Sequence, residues 1–304
     1  SGAISFLDDA PSISASTVDL SNLTITTKDA NAISLVTGDT AAKDYSSAFL
    51  GAVSASYGAD GPGNTAISNY NLSIIATPVQ GLVGSGLKRG GNTINLFLVN
   101  GKIVGSTASS NQNISQANTI FDIGVTSTGL ITAKQYAAID HNLGTPIRSL
   151  PGGLITLSAT ATVTDADGDT ATTTVTTDFG NSAISFEDAP SVLVNDTTAI
   201  DEGGTATGNV LGNDSDDDVV LSVTNFSIYG IPGTSNAGST ATIPGIGTIT
   251  IASSGNYTFT PSAPDFNGAL PTITYEVNTG LTANLSITVN PVNDAPSLLS
   301  NTAS

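Results

Sequence analysis

From Ile155 to Val163 every second residue is apolar, and the residues between them are Thr or Ser. That two-residue period belongs to a half-buried β-strand and leaves a helix no continuous apolar face. Val175, Thr177 and Phe179 resume the pattern after a turn, and 247–251, 257–259, 273–277 and 285–289 repeat it further on. Between Leu96 and Val104 the pattern is broken by Asn100-Gly101, a pair that readily takes the positive φ values of a type I′ hairpin turn. Turn residues recur at intervals of roughly ten, the spacing of an antiparallel β-sandwich. With 304 residues the chain is long enough for two such domains. The one stretch with helical character is 132–139, Thr-Ala-Lys-Gln-Tyr-Ala-Ala-Ile, expected as a short helix plugging one end of a sandwich.

A repeated phrase divides the chain. Residues 1–11 read SGAISFLDDAP and residues 181–190 read NSAISFEDAP; a weaker echo, VNPVNDAP, occupies 289–296. Each runs from an alternating strand through acidic residues to Ala-Pro, and proline cannot continue a sheet ladder. The expected organisation is therefore the end of a preceding repeat or linker at 1–10, an enlarged module at 11–187, a second module at 188–296 and the start of a further repeat at 297–304. The abrupt strand-like start suggests a piece internal to a longer protein.

Charge limits the partners. There are 25 acids and 7 bases, a formal net charge of −18, and from Ser149 to Ser304 there are 16 acids and neither Lys nor Arg. Two carboxylates about 5 Å apart repel by roughly 1 kcal/mol even in bulk water. Acids clustered without local bases call for an external cation. Nucleic acid, which needs basic stripes, is not an expected partner. No apolar run of about 18 residues exists, so no membrane insertion is expected of this chain. Cys is absent. A secreted chain without disulfides relies on large cores or metals.

The acids sit where a cation would be useful. Asp165-Ala166-Asp167-Gly168-Asp169 puts alternate carboxylates around a glycine bend between two strands, and Ca2+ accepts 6–8 oxygens in irregular geometry. It is not an EF-hand loop, which would need Gly at 170 and a carboxylate at 176, where the chain has Thr170 and Thr176. The junction phrases add Asp8 and Asp9, Glu187 and Asp188, and Asp294. An ion shared between 165–169 and 187–188 would tie a linker to a domain end. A third cluster at 213–218 supplies Asp214, Asp216 and Asp218, with Asp196 and Glu202 upstream.

Signs of catalysis are lacking. His141 is the only histidine, which excludes His-rich metal sites, and it reads as a satisfied structural residue. No Gly-x-Ser-x-Gly elbow is present. Gly84-Ser85-Gly86-Leu87-Lys88-Arg89-Gly90 lacks the spacing of a phosphate loop. The chain is not expected to be an enzyme.

Several of these motifs together resemble a known family. Tyr57-Gly58-Ala59-Asp60-Gly61-Pro62-Gly63, Ile120-Phe121-Asp122-Ile123, the stretch 135–141 (Gln-Tyr-Ala-Ala-Ile-Asp-His), the loop 163–169 and Ile184-Ser185-Phe186-Glu187-Asp188 are similar to the repeats of giant type I-secreted RTX adhesins. Residues 189–296 resemble cadherin-like, Ig-like bacterial repeats through Asp201-Glu202-Gly203, Asn209-Val210-Leu211-Gly212-Asn213-Asp214, Tyr257-Thr258-Phe259-Thr260-Pro261, Phe266-Asn267-Gly268 and Val292-Asn293-Asp294-Ala295-Pro296. The resemblance implies an all-β chain of tandem Ig-like, cadherin-like sandwiches. It also implies a Ca2+-dependent extender of a biofilm adhesin on the bacterial surface. Its partners would be neighbouring repeats of the same chain, with a host or microbial ligand gripped by another module, and a monomer is expected. The alternative is that the first module itself binds a glycan or peptide, using the Gly-, Asn- and Ser-rich stretch 80–118 as binding loops.

Overall fold

The computed structural model describes residues 9–29, 38–142, 145–180, 183–263 and 265–293. The chain is almost entirely β and forms two compact units, Ser1–Ala189 with Asp217–Val219, and Pro190–Asp216 with Val220–Ser304. No helix among the described residues is long and apolar enough to cross a membrane.

The first unit is built on a six-stranded antiparallel sheet in the order Asp39–Asp44, Leu130–Gln135, Thr119–Val125, Lys102–Ser106, Asn92–Val99, Val83–Arg89. Against it packs Pro62–Ile74, the edge of a second sheet whose central strand is Ile155–Asp165 and whose far strand is Thr170–Asp178. The alternation that marks Ile155–Asp165 in the sequence is kept in space: Ile155, Leu157, Ala159, Ala161 and Val163 are buried. Leu157 and Leu72 share one apolar core with Ile94, Leu96, Ile103, Phe121, Ile123 and Ile131 of the large sheet. Burying each large side chain of this kind contributes about 1.5–3 kcal/mol.

A third, small sheet brings distant segments together. Ile184–Glu187 pairs antiparallel with Ile147–Ser149 and parallel with Ile25–Lys28, in a register that sets Glu187 beside Lys28. Phe186 of this strand packs at a tilt against Phe121, ring centroids 5.0 Å apart.

The helix expected at 132–139 is not formed. Leu130–Gln135 is a strand, paired on one side with Asp39–Asp44 and on the other with Thr119–Val125. Ile131, Ala133 and Gln135 point inward at period two. Two flanking strands outweigh the modest helix propensity of Ala, Lys and Gln. The only α-helix among the described residues is Ser46–Gly51, anchored by buried Phe49. The stretch 80–118 holds three strands of the large sheet, Val83–Arg89, Asn92–Val99 and Lys102–Ser106, and leaves 107–118 as a loop with two short 3-10 turns. The hairpin turn is as expected, with φ of +51° at Asn100 and +79° at Gly101.

The second unit is a smaller sandwich. One sheet runs Asp196–Asp201, Thr282–Asn290, Ile273–Val277, Val223–Ile228, Ile231–Asn236, its first pair parallel and the rest antiparallel. The other runs Ala206–Asn209, Asn256–Pro261, Gly247–Ile251, Thr240–Ile243. Its core is formed by Phe226, Phe259, Tyr275, Ile249, Leu285 and Ile287.

Candidate metal centres

The loop between Ile155–Asp165 and Thr170–Asp178 closes on Asp165. The N–H of Asp165 donates to the carbonyl of Asp169, and Oδ1 of Asp165 accepts the N–H groups of Gly168 (3.1 Å) and Asp169 (2.8 Å). Gly168 takes a φ of +108°, which a side chain would strain. The other oxygen, Oδ2, is buried and has no hydrogen-bond partner, and the residue is only 4 % exposed. Leaving a charged oxygen in that state costs more than leaving a neutral one. Two further carboxylates converge here. Asp167 comes from the loop itself. Asp60 comes from the turn before Pro62–Ile74, whose register sets Pro62 opposite Asp165. One oxygen from each of Asp60, Asp165 and Asp167 lies within 4.8 Å of the others. Asp169 is exposed and belongs to the same loop. Asp9 packs its carbonyl against Gly58, two residues before Asp60, so closely that a Cβ there would lie 2.3 Å from it.

The second group forms where the parallel strands Ile25–Lys28 and Ile184–Glu187 end. The next residues, Asp29 and Asp188, reach His141, as does Asp218 of the segment 217–219. Nδ1 of His141 is 3.3 Å from Oδ2 of Asp29, 3.5 Å from Oδ2 of Asp218 and 3.7 Å from Oδ1 of Asp188. The side chains of Asp29, His141 and Asp218 are almost wholly buried, while Asp188 is 31 % exposed. Asp29 is held by Nε2 of Gln135 and by the N–H of Ile139 (3.1 Å), and Asp218 by the N–H of His141 (2.6 Å).

Both ring nitrogens of His141 face carbonyl oxygens, Nδ1 that of Ile139 at 2.7 Å and Nε2 that of Phe186 at 3.1 Å. Both nitrogens therefore donate, and the ring is an imidazolium. Burial opposes this charge. The bond to Asp29, the bond to Phe186 and the charges of Asp29 and Asp188 outweigh burial, so the pKa is pushed up to about 9. Beside the cluster a cavity of about 320 Å3 is lined by Arg89, Asn92, Thr107, Asp140, Asp217 and Asp218. Asp140 accepts the N–H groups of Gly90 and Gly91 at 2.5 and 2.8 Å.

These groupings differ from the expected ones. Among the described residues, the acids of 165–169 and of 187–188 fall in separate groups. Asp165 and Asp167 meet Asp60, and Asp188 meets Asp29, His141 and Asp218. Glu187 is not without a cation: its Oε1 is 2.8 Å from Nζ of Lys28. A base 159 residues away in sequence is adjacent across a parallel pair, which a count of nearby residues misses. Asp8 and Asp294 lie outside the described residues.

Two acids of the second unit meet at one tyrosine. Asp196 and Asp214 flank the hydroxyl of buried Tyr275, at 3.3 and 2.8 Å, and that hydroxyl also reaches the carbonyl of Val210 at 2.9 Å. Burial, with the charge of Asp214, raises the pKa of Asp196, against the opposing bonds of Tyr275 and Asn213. Asp216 accepts the hydroxyl of Ser191 at 2.5 Å. Glu202 accepts the N–H of Val292 at 3.0 Å. Asp218 belongs instead to the first unit. Asp29, Asp60 and His141 were not foreseen as members of a site. Asp60 and His141 had a local signal in their motifs, Asp60-Gly61-Pro62-Gly63 and Asp140-His141, and Asp29 had none.

Two family models match the chain. Residues 15–178 match a domain of unknown function, DUF5801, and residues 187–291 match a bacterial cadherin-like domain. No curated protein matches. Among solved structures, the protocadherin gammaB7 EC3–6 cis-dimer is 13% identical, with 78% of this chain and 53% of that one covered and a TM-score of 0.28. Drosophila N-cadherin EC1–4 is 10% identical, with 94% and 52% covered and a TM-score of 0.27. Mouse cadherin-23 EC22–24 is 12% identical, with 74% and 68% covered and a TM-score of 0.24. The chain thus spans about half the length of the first two.

Proposed function

We propose that this chain, which belongs through residues 15–178 to the DUF5801 family, is a calcium-dependent extracellular spacer of a bacterial surface adhesin. The bacterial cadherin-like match over 187–291 supports an extracellular adhesion repeat. The repeated junction phrase supports a chain of modules whose partners are neighbouring repeats. Export by type I secretion, membership of an RTX adhesin and a role in biofilms rest on the motif resemblance. No catalysis is part of this reading. Direct glycan or peptide binding by the first module has less support, because 83–106, most of the stretch 80–118, is folded into three strands and their turns.

Calcium rests on one observation, the buried and partnerless Oδ2 of Asp165 among the carboxylates of Asp60 and Asp167. An all-oxygen, carboxylate-rich donor set at an exposed loop suits a hard cation with adaptable geometry. Asp60, Asp165 and Asp167 would hold the ion, with the loop carbonyls and water available to complete its shell. The ion would neutralise the three charges and fasten the turn 57–61 to the hairpin 165–170, stiffening that end of the module. Calorimetric titration of the chelator-stripped chain tests this. Because extracellular modules bind Ca2+ as weakly as about 10⁻⁴–10⁻³ M, the titration must reach several millimolar. Binding is expected with Ca2+, more weakly with Mg2+, and diminished in Asp60→Asn. Absence of any Ca2+ heat in the intact chain would remove calcium from the reading.

A further inference from the structure

We propose that Asp29, His141, Asp188 and Asp218 form a second metal centre, one that takes a divalent transition-metal ion such as Mn2+ or Zn2+ through Nδ1 of His141 and one oxygen of each carboxylate. It shares no residue with the calcium loop and does not depend on it.

Donor count comes first. Nε2 must keep its proton, because it faces the carbonyl of Phe186 at 3.1 Å. A backbone carbonyl on the far ring nitrogen is the usual outer-shell partner of a metal-bound histidine, and it turns the lone pair of Nδ1 toward the metal. Nδ1 then faces four oxygens: the Ile139 carbonyl at 2.7 Å, Asp29 at 3.3 Å, Asp218 at 3.5 Å and Asp188 at 3.7 Å. One proton on Nδ1 can bridge to one of these well. A cation among them serves all of them.

The spacing fits an ion. Two ligands at right angles on a metal with bonds of about 2.1–2.4 Å stand about 3.0–3.4 Å apart. The carboxylate oxygens lie at or slightly beyond that distance from Nδ1, and the four ligand atoms all lie within 4.8 Å of one another.

Charge points the same way. Three carboxylates face one imidazolium, so the cluster retains a −2 excess in a place where Asp29 and Asp218 are almost wholly buried. The adjoining cavity adds Asp140 and Asp217 against Arg89. A divalent ion that takes the place of the Nδ1 proton, which leaves to solvent, halves that excess to −1.

Two further observations fit. Gln135, fully buried, holds Asp29 through Nε2 while its Oε1 has no hydrogen-bond partner. The cavity of about 320 Å3 has Asp218 in its wall, so this ligand borders open space as well as the cluster. The mixed nitrogen and oxygen set selects the metal, because imidazole suits Zn2+ and its neighbours and the three carboxylates suit Mn2+, whereas Ca2+ prefers oxygen alone.

The test is titration of the full, chelator-stripped chain with Mn2+ alone, followed by electron paramagnetic resonance, and with Co2+ alone, followed by its visible absorption. We expect one tight site, a 14N modulation from the imidazole in the Mn2+ spectrum, and at least tenfold weaker Mn2+ binding in His141→Gln. Asp188→Asn, at the most exposed ligand, guards against loss of folding; it should melt cooperatively and still lose affinity tenfold. The calcium loop variant Asp60→Asn should leave this site unchanged. Three results would each overturn the proposal: no Mn2+ or Co2+ binding by the folded chain up to millimolar metal, binding without nitrogen modulation, or affinity in both variants equal to the parent's.

Discussion

Asp165→Asn separates a calcium ligand from an ordinary loop acid, because the two roles give opposite signs in the absence of metal. Asn retains Oδ1, so the bonds from the N–H groups of Gly168 and Asp169, at 3.1 and 2.8 Å, survive. What changes is Oδ2, which has no partner and carries part of a charge that faces Asp60 and Asp167 within 4.8 Å. Each repulsion at that distance is about 0.9 kcal/mol with water-like screening and about 3.5 kcal/mol at an effective dielectric constant of 20. Asp60 and Asp167 are exposed, so the lower figure applies. The two repulsions together come to roughly 2 kcal/mol. In chelator the variant should therefore be more stable than the parent by roughly 2 kcal/mol, or about 4–8 °C in the first unit's melting temperature.

Calcium should reverse the order. An ion at 100 times its dissociation constant adds about 2.7 kcal/mol to the parent, and at 1,000 times about 4.1. The variant, short of one charged ligand, gains much less. With a head start of about 2 kcal/mol for the variant, the two melting curves should cross when Ca2+ reaches about 30 times the parent's dissociation constant. Differential scanning calorimetry of both chains across a Ca2+ series measures the crossing, and any ion bound elsewhere affects both chains alike. A variant less stable than the parent in chelator would show that Oδ2 carries no uncompensated charge. A parallel calcium response in the two chains would show that Asp165 is not a ligand.

Four further outcomes are expected. A Cβ at Gly105 would stand 2.3 Å from the buried ring of Phe121, so Gly105→Val should cost about 3 kcal/mol in urea unfolding of the first unit. Gly124→Ala, which meets only the flexible side chain of Lys102, should be nearly silent. Tyr275→Phe deprives the Val210 carbonyl and Asp214 of a buried donor and should destabilise the second unit by about 1–3 kcal/mol, leaving the first transition unmoved. In chelator, His141 faces Asp29, Asp188 and Asp218 with a folded pKa raised from 6.5 to about 9. Its contribution should be complete below pH 6.5 and lost as pH rises through about 9. The denaturation midpoint of His141→Gln should be flatter over that range, and identical slopes in the two chains would contradict the imidazolium.

How much the sequence disclosed depends on how far apart the interacting residues lie. Strand identity is local: Ile155–Asp165 declared itself because side-chain alternation is a property of consecutive residues, and so did the Asn100-Gly101 turn. Residues 130–135 misled because the same window reads as Ala- and Lys-rich helix or as a strand with Ile131, Ala133 and Gln135 inward; only the partners on both edges decide.

Candidate ligands obey the same division. Asp165 and Asp167 were legible because a glycine bend with alternate acids is a local device. Asp60 joins them only through a pairing that spans about a hundred residues. Asp29 and Asp188 become neighbours because Lys28 and Glu187 end a parallel pair, and the same register supplies Glu187 with a cation that the composition of 149–304 denies it. Charge counted along the chain therefore overstates the demand for external ions at one junction acid, Glu187, and misses the two further carboxylates and the imidazole that gather at the next residue, Asp188. Whether an acid needs a cation is settled by the neighbours that sheet register delivers.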